Sequence, residues 1–200
     1  MTLVPPLSAR INDHAKQLAI TSPTLRRVLL HWLECRTGRL MPMWSDIRPA
    51  KIKTELPFIW QYRYDSEQDE FFGGLCGEEI RRLMGRSIKN ERFRDLYPGD
   101  PHLFSRAKRV LFDPAIYYGR GLLFTQRDRQ CFGERLVLPF ASPDGMPAGI
   151  LGATDYHYSF LYRAGPESQC EVEQWSPLGQ HSVGKGLQRP SAMSLPPRLG

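Results

Sequence analysis

The apolar residues that follow position 22 recur with the period of an α-helix. Ser22 can cap this helix and Pro23 suits its first turn, so the pattern predicts a helix that ends before Gly38. One apolar stripe runs along it and consists of Leu25, Val28, Leu29, Trp32 and Leu33. The stripe has to be buried, either against a sheet of the same chain or against the same helix of a second chain. We predict that it mediates self-association.

Strand-like and helical patterns then follow in a definite order. The strand-like runs are Phe58–Tyr62, Phe71–Leu75, Gly121–Gln126, Arg135–Ala141 and Ala148–Asp155, and helical spacing separates the second run from the third. This order predicts an α+β fold, a five-stranded antiparallel sheet with helices on one face, preceded by an N-terminal amphipathic helix. Such an architecture is more typical of a sensory or docking module than of an enzyme.

Local signals predict where the later helices and turns begin and end. Gly85 is expected to end the helix that starts at Glu78, and Asp100 is expected to cap a helix that starts at Pro101. The Ser142–Gly145 segment has proline in the second position and glycine in the last, which predicts a hairpin turn.

The chain divides into four predicted segments. Residues 1–21 are weakly patterned, residues 22–56 form the helix and a proline-containing connector, and residues 57–160 form the sheet domain. Residues 161–200 are rich in Gly, Pro, Ser and Gln and lose apolar periodicity. Ordering the backbone costs about 1–2 kcal/mol per residue, which so few apolar groups cannot offset. We therefore predict that this last segment is disordered.

The charge distribution limits the classes of partner. The net charge is +6, and the segment from Arg81 to Arg135 contains thirteen basic residues and six acidic ones. The basic residues form no compact run, so we expect a solvated face or an acidic protein partner. Nucleic acid is the disfavoured alternative, with an affinity that would fall steeply with salt.

The sequence also carries expectations about location and thiol chemistry. No run approaches the eighteen apolar residues that cross a bilayer, and the first residues do not resemble a secretory signal. We therefore expect a cytoplasmic protein. Cys35, Cys76, Cys131 and Cys170 lack the spacing of a metal site and are expected to be free thiols.

Catalytic groups are not recognisable in the sequence. The five histidines fall in unrelated settings, and neither a nucleophile elbow nor a phosphate-binding loop is present. Glu78 and Glu79 are adjacent and would point about 100° apart on a helix. We predict a protein that is not an enzyme and has no metal site.

Several short motifs follow one another in a particular order between Leu25 and Tyr156. They are His31–Leu33, Leu40–Pro42, Asp46–Ile47, Pro49, Leu56–Ile59, Cys76–Ile80, Met84–Arg86 and Leu136–Phe140. In this order they resemble a PAS domain, and more closely the short stand-alone PAS proteins that are common in alphaproteobacteria. The resemblance implies a cytoplasmic sensor or protein-interaction module, often a dimer through its N-terminal helix. The sequence departs from the family where Gly85-Arg86 leads into Ser87-Ile88-Lys89 instead of Thr-Gly, and in its long tail.

A ligand site is the second hypothesis within this resemblance. Aromatic residues that could line an apolar cavity between sheet and helices are Trp60, Phe72, Phe124 and Phe140. A filled core is the favoured interpretation of the same set. In haem-binding PAS domains an axial histidine commonly comes from the helix before the third strand, where His102 lies. The photoreactive flavin type needs a cysteine in the helical region, whereas Cys76 lies on or just after a strand.

The leading functional prediction is therefore a non-enzymatic PAS-type regulatory module, without a cofactor, that acts through contacts with cytoplasmic proteins. The outer face of the sheet is a second candidate surface beside the helix stripe. The alternative is a PAS sensor that binds a metabolite, haem or flavin.

Overall fold

The computed structural model describes residues 17–98, 100–126, 129–159 and 170–179. The helices are α1 (Pro23–Cys35), α2 (Glu78–Met84), α3 (Phe93–Leu96) and α4 (Pro101–Phe112). The strands are β1 (Ile59–Asp65), β2 (Glu70–Cys76), β3 (Ala115–Gln126), β4 (Arg129–Ala141), β5 (Pro147–Ser159) and β6 (Cys170–Pro177). Three short 3-10 turns, Trp44–Asp46, Pro49–Lys51 and Leu56–Phe58, connect α1 to β1. No helix among these residues is long and apolar enough to cross a membrane.

The predicted helix ends are confirmed. The Ser22 hydroxyl accepts a hydrogen bond from the backbone N–H of Leu25 at 3.2 Å. Asp100 accepts one from the backbone N–H of His102 at 3.0 Å, at the start of α4. Gly85 ends α2 with a φ of +69°, a conformation that side chains other than glycine rarely adopt. These caps act within one turn of chain, which is why the sequence alone identifies them.

All strands are antiparallel in one sheet of order β2-β1-β5-β4-β3-β6. The predicted turn joins β4 to β5, where the Gly145 N–H donates to the Ser142 carbonyl at 2.9 Å. The prediction of an antiparallel sheet is confirmed, but the sheet has six strands and not five.

The sixth strand comes from the segment that was predicted to be disordered. In β6, Trp175 pairs with Tyr117 of β3, and their ring centroids lie 4.9 Å apart. Arg109 of α4 contacts the Trp175 ring, and its guanidinium carbon lies 4.1 Å from the centre of that ring. The prediction of disorder was wrong for this stretch. A few apolar residues are enough to order a strand when the edge of a neighbouring strand supplies its backbone hydrogen bonds. Residues 1–16 of the segment predicted to be weakly ordered lie outside the described residues, as do residues 161–169 and 180–200 of the predicted tail.

Helices α2–α4 cover one face of the sheet, as predicted, and the N-terminal helix α1 packs on the other face. The α1 stripe packs against strand residues that include Leu136, Leu138 and Leu151, and α2–α4 pack on the opposite face. Each of the five stripe residues is at most 4% exposed. The sheet is therefore a buried middle layer between two apolar cores.

This arrangement corrects the predicted self-association surface. The stripe residues Leu25, Val28, Leu29, Trp32 and Leu33 are covered by the sheet of their own chain, and the outer face of the sheet is covered by α1. A helical period shows that one face of a helix is buried, but it does not show against what. Dimerisation stays a prediction, and it would have to use other residues.

Two carboxylates fix the N-terminus of α1 to the sheet. Glu134 of β4 accepts hydrogen bonds from the backbone N–H groups of Thr21 at 2.9 Å and Ser22 at 3.1 Å, and also from the Thr21 hydroxyl. Asp155 of β5 accepts a hydrogen bond from the Ser22 hydroxyl at 2.5 Å. The same hydroxyl therefore caps the helix and ties it to the sheet.

Candidate functional site

A cavity of about 330 Å³ lies between the sheet and helices α2–α4. Its walls are mostly apolar and include Leu83 of α2, Phe93 of α3, Ala107 and Val110 of α4, and Ile150 of β5. The volume falls at the lower end of the range of about 300–1,000 Å³ that is typical of small-molecule sites. The core on this face is therefore not completely filled, although a filled core was the favoured interpretation of the sequence.

Trp60 lines the cavity from β1 and is held there by a neighbouring strand. Its indole Nε1 donates a hydrogen bond to the Thr154 hydroxyl of β5 at 2.9 Å. A side chain at Gly152 would place its Cβ 2.1 Å from the Trp60 ring, far closer than two carbon atoms can approach. The absence of a side chain at Gly152 thus leaves the space that the indole ring occupies.

We expect Gly152→Ala to displace the Trp60 indole and to lower the free energy of unfolding by about 1 kcal/mol, near the low end of the usual cost of overpacking. Urea denaturation would measure the change. Gly179→Ala is the matched control, because an added Cβ there would meet nothing closer than a Leu40 methyl at 3.9 Å. Equal stability of the two variants would contradict the role of Gly152.

Two polar atoms at the cavity have no partner. Within the part of the chain that the structure describes, Tyr62 Oη and Arg135 Nε are the buried side-chain polar atoms without a hydrogen bond. Both residues line the cavity, and Tyr62 is only 1% exposed. Native proteins rarely leave buried polar groups unpaired, and such groups often mark a ligand or water site. These two atoms are the strongest indication of a binding site in the molecule.

The hydroxyl of Tyr62 is held in its neutral form. Burial raises the pKa of Tyr62 well above its usual value, and the neighbouring Tyr97 adds to this effect. The positive charge of Arg135 acts in the opposite direction and lowers the pKa of Tyr62, although burial outweighs it. Tyr62 therefore offers a hydrogen-bond donor beside a positive charge.

The charged groups around the cavity are all arginines. Arg86, Arg106 and Arg135 line it, and no Asp or Glu is among the described lining residues. Arg106 forms an ion pair with Glu173 at 2.9 Å. Neither Arg86 nor Arg135 forms an ion pair with any residue that the structure describes. The site therefore carries an uncompensated positive charge.

The predicted aromatic set is only partly at this site. Trp60 lines the cavity, whereas Phe140 lies on the opposite face of the sheet, in the α1 core, with its ring centroid 5.1 Å from that of Trp44. Phe72 is half-buried on β2 and does not line the cavity. The predictions for Phe72 and Phe140 were wrong because aromatic content does not tell which face of a doubly covered sheet a residue joins. The side chain of Phe124 lies outside the described part of the chain.

The structure places His102 away from the cavity. Its side chain is exposed in the first turn of α4, and it is not among the lining residues. The suggestion that His102 serves as an axial haem ligand is corrected accordingly. Position in the first turn, next to the cap residue Asp100, directs this residue to solvent.

Tyr62 and Arg135 were missed by the sequence analysis. Strand alternation puts Tyr62 on the same face as Trp60, which was a usable signal. Arg135 gives no comparable signal, because an arginine in a strand usually faces solvent. Only the assembled sheet shows that both residues line one cavity.

Many basic residues of the Arg81–Arg135 zone are paired with acids. Arg82 pairs with Glu79 at 2.6 Å, and Lys108 pairs with Asp69 at 2.6 Å. In all, five basic residues of the zone pair with acids among the described residues: Arg81, Arg82, Arg94, Arg106 and Lys108. The prediction of free thiols is confirmed for the three cysteines whose side chains are described, which are Cys35, Cys76 and Cys131.

Comparison with known proteins places this architecture in a family. A family model described as PAS domain matches residues 20–155, which is more than half of the chain. The match includes α1 and all the helices and strands through most of β5. A comparison with curated proteins found no match.

Proposed function

Because the chain belongs to the PAS domain family, we propose that it is a non-enzymatic sensory module that binds a small molecule in its cavity and signals through contacts with a cytoplasmic protein. The observation that carries this proposal is the cavity with the unpaired Tyr62 and Arg135 atoms. The leading prediction from sequence gave the protein contacts first place and the ligand second. The cavity is the reason why the proposal includes ligand binding together with the protein contacts.

The position of the cavity supports a link between binding and conformation. Helices α2 and α3 are seven and four residues long, well below the length at which an isolated helix is stable in water. Their packing over the cavity therefore determines their arrangement. A molecule that fills the cavity contacts both the helices and the sheet, and it would favour the arrangement it fits best. That change in population would be the signal passed to a partner.

The lining residues favour binding over turnover. Among those described, the polar side chains are arginine, tyrosine and threonine, and no His, Cys, Asp, Glu or Lys lines the cavity. These missing types are the usual nucleophiles and general bases of enzymes. The proposal is therefore of a receptor and not of a catalyst.

Filling the cavity from within would test the proposal. Ala107 is 5% exposed and lines the cavity from α4, so Ala107→Leu would place three more carbon atoms in that space. We expect protein isolated from its own cells to carry a small-molecule adduct in native mass spectra. We expect occupancy in Ala107→Leu to be at least tenfold lower. Thermal melting would verify that the variant is folded.

Ala50→Leu is the matched control, because Ala50 is exposed in the connector and is not among the lining residues. It should retain the adduct of the unmodified chain. Absence of any adduct from the unmodified chain, or equal adducts in both variants, would show that the cavity does not hold a ligand.

Haem or flavin as the occupant is the alternative form of this function. An absorption spectrum of the same preparation separates the two, since haem gives a Soret band and flavin a band in the blue. The exposed position of His102 favours a spectrum without a Soret band. A strong band of either kind would show that the occupant is a cofactor and not a metabolite.

A further inference from the structure

We propose that the cavity receives an organic carboxylate with an apolar body, and that Tyr62 and Arg135 bind its carboxylate group. This inference rests on the proposed function, because it names the chemical class of the molecule that the cavity would bind. Three features of the cavity favour this class of ligand: the charge of its lining, the hydrogen-bonding groups it offers and the apolar nature of its walls.

The charge of the lining selects an anion. Arg135 comes from the sheet, and Arg86 is the second residue after the end of α2. Neither forms an ion pair with an acid among the described residues. The third arginine, Arg106, already has Glu173 as its partner at 2.9 Å. A guanidinium group presents planar N–H donors that match a carboxylate well, and partial burial strengthens such a pair.

The hydrogen-bonding groups select an acceptor. Arg135 Nε–H is a donor without an acceptor in the described chain, and Tyr62 Oη–H makes no regular hydrogen bond, with the nearby Tyr97 hydroxyl as its nearest alternative partner. Thr154 lies on the cavity face as well, pairs across the sheet with Arg135, and accepts from Trp60 at 2.9 Å, which leaves its own O–H free to donate. An ionised carboxylate only accepts hydrogen bonds, and its two oxygens can accept several of them, so it matches a lining that offers donors. A neutral amide or alcohol carries no charge that could pair with Arg135 or Arg86, so it matches this lining less well.

The walls select an apolar body of limited size. Beyond the polar groups the surface is formed by side chains such as Ile80, Leu83, Phe93, Val110 and Ile150. Since one water takes about 30 Å³ of liquid volume, a cavity of about 330 Å³ accepts roughly ten to twelve non-hydrogen atoms. An aryl-alkyl or short fatty acid has this size and polarity.

A matched pair of probes tests the inference. Calorimetric titration of the full chain at pH 7 would compare 4-phenylbutyrate with its neutral isostere 4-phenylbutyramide. We expect the acid to bind at least tenfold more tightly. In Arg135→Gln the affinity for the acid should fall at least tenfold while the affinity for the amide changes less than twofold. Tyr62→Phe should weaken acid binding severalfold.

Arg63→Gln is the control for a loss of charge, because Arg63 is exposed on β1 and does not line the cavity. It should leave both affinities unchanged. Thermal melting verifies that each variant is folded. If Arg135→Gln is unstable, Arg135→Lys replaces it as the test variant, because it keeps the charge but loses the Nε donor. Arg135→Lys is then expected to weaken acid binding severalfold.

The outcomes separate this inference from the proposed function. If acid and amide bind equally, the ligand class is wrong, whereas occupancy of the cavity still supports a sensor. If Arg135→Gln and Arg63→Gln have the same effect, the acid binds elsewhere by charge alone and the inference fails. If neither probe binds and the isolated protein carries no adduct that Ala107→Leu removes, both the inference and the proposed function fail.

Discussion

Trp32→Ala should lower the free energy of unfolding by about 3–5 kcal/mol, the usual cost of removing a large buried aromatic side chain. Trp32 is fully buried between α1 and the sheet. Its indole Nε1 also donates to the backbone carbonyl of Pro139 at 3.0 Å. The substitution would leave an empty volume and a buried carbonyl oxygen without this donor. The residue therefore joins the N-terminal helix to the sheet by packing and by a hydrogen bond.

Urea denaturation would measure this effect, with Trp44→Ala as the matched control. Trp44 lies in the connector and is 39% exposed, so its loss should cost well under half as much. Trp32→Phe would keep most of the packing and lose the hydrogen bond, and it should fall between the two. A change below about 1 kcal/mol for Trp32→Ala would contradict the burial of this side chain.

The second large effect is expected at Glu134, which holds the start of α1. Glu134→Ala should lower the free energy of unfolding by about 2–4 kcal/mol. Two backbone N–H groups and the Thr21 hydroxyl would lose their acceptor, at about 1–3 kcal/mol for each group that stays buried, with some rescue by water. Glu67→Ala is the control, because Glu67 is exposed in the β1–β2 turn. Equal stability of the two variants would contradict the anchoring role.

The same carboxylate predicts how stability depends on pH. Burial raises the pKa of Glu134, but the hydrogen bonds from Thr21 and Ser22 outweigh burial, so its pKa in the folded protein lies below the ordinary value of 4.5. A lowered pKa means that the folded state favours the carboxylate. Its contribution is complete above about pH 4.5 and is lost as the pH falls through the lower, folded-state pKa.

Glu134→Gln isolates this contribution from those of other carboxylates. The difference in unfolding free energy between the unmodified chain and this variant should be largest near pH 7 and should narrow towards pH 3. Urea denaturation at both values would measure it. A difference that is constant over this range would mean that the charge of Glu134 does not stabilise the fold.

Much of the fold could be predicted because its signals are local. The Ser22 and Asp100 caps and the Ser142–Gly145 turn act within a few residues, and the period of each run determines its type. Five of the six strands and the resemblance to a PAS domain followed from these signals and their order. The sixth strand did not, because β6 is ordered by the edge of β3, more than fifty positions earlier in the chain.

The parts that could not be predicted depend on which surfaces meet. The α1 stripe was recognisable as buried, but only the assembled chain shows that the sheet covers it and a second copy does not. Phe140 and Trp60 look alike in the sequence, yet they lie on opposite faces of one sheet. The unpaired atoms of Tyr62 and Arg135 are a property of three-dimensional arrangement alone.

Amide hydrogen exchange would test the central claim, that this cavity is the sensory site, most directly. The small-molecule fraction of the native cells would be added to the full chain and to Ala107→Leu, and protection would be followed peptide by peptide. We predict that protection rises in α2, α3 and α4, the helices that cover the cavity, and that Ala107→Leu does not respond. Unchanged protection in the unmodified chain, or the same rise in both proteins, would contradict the claim.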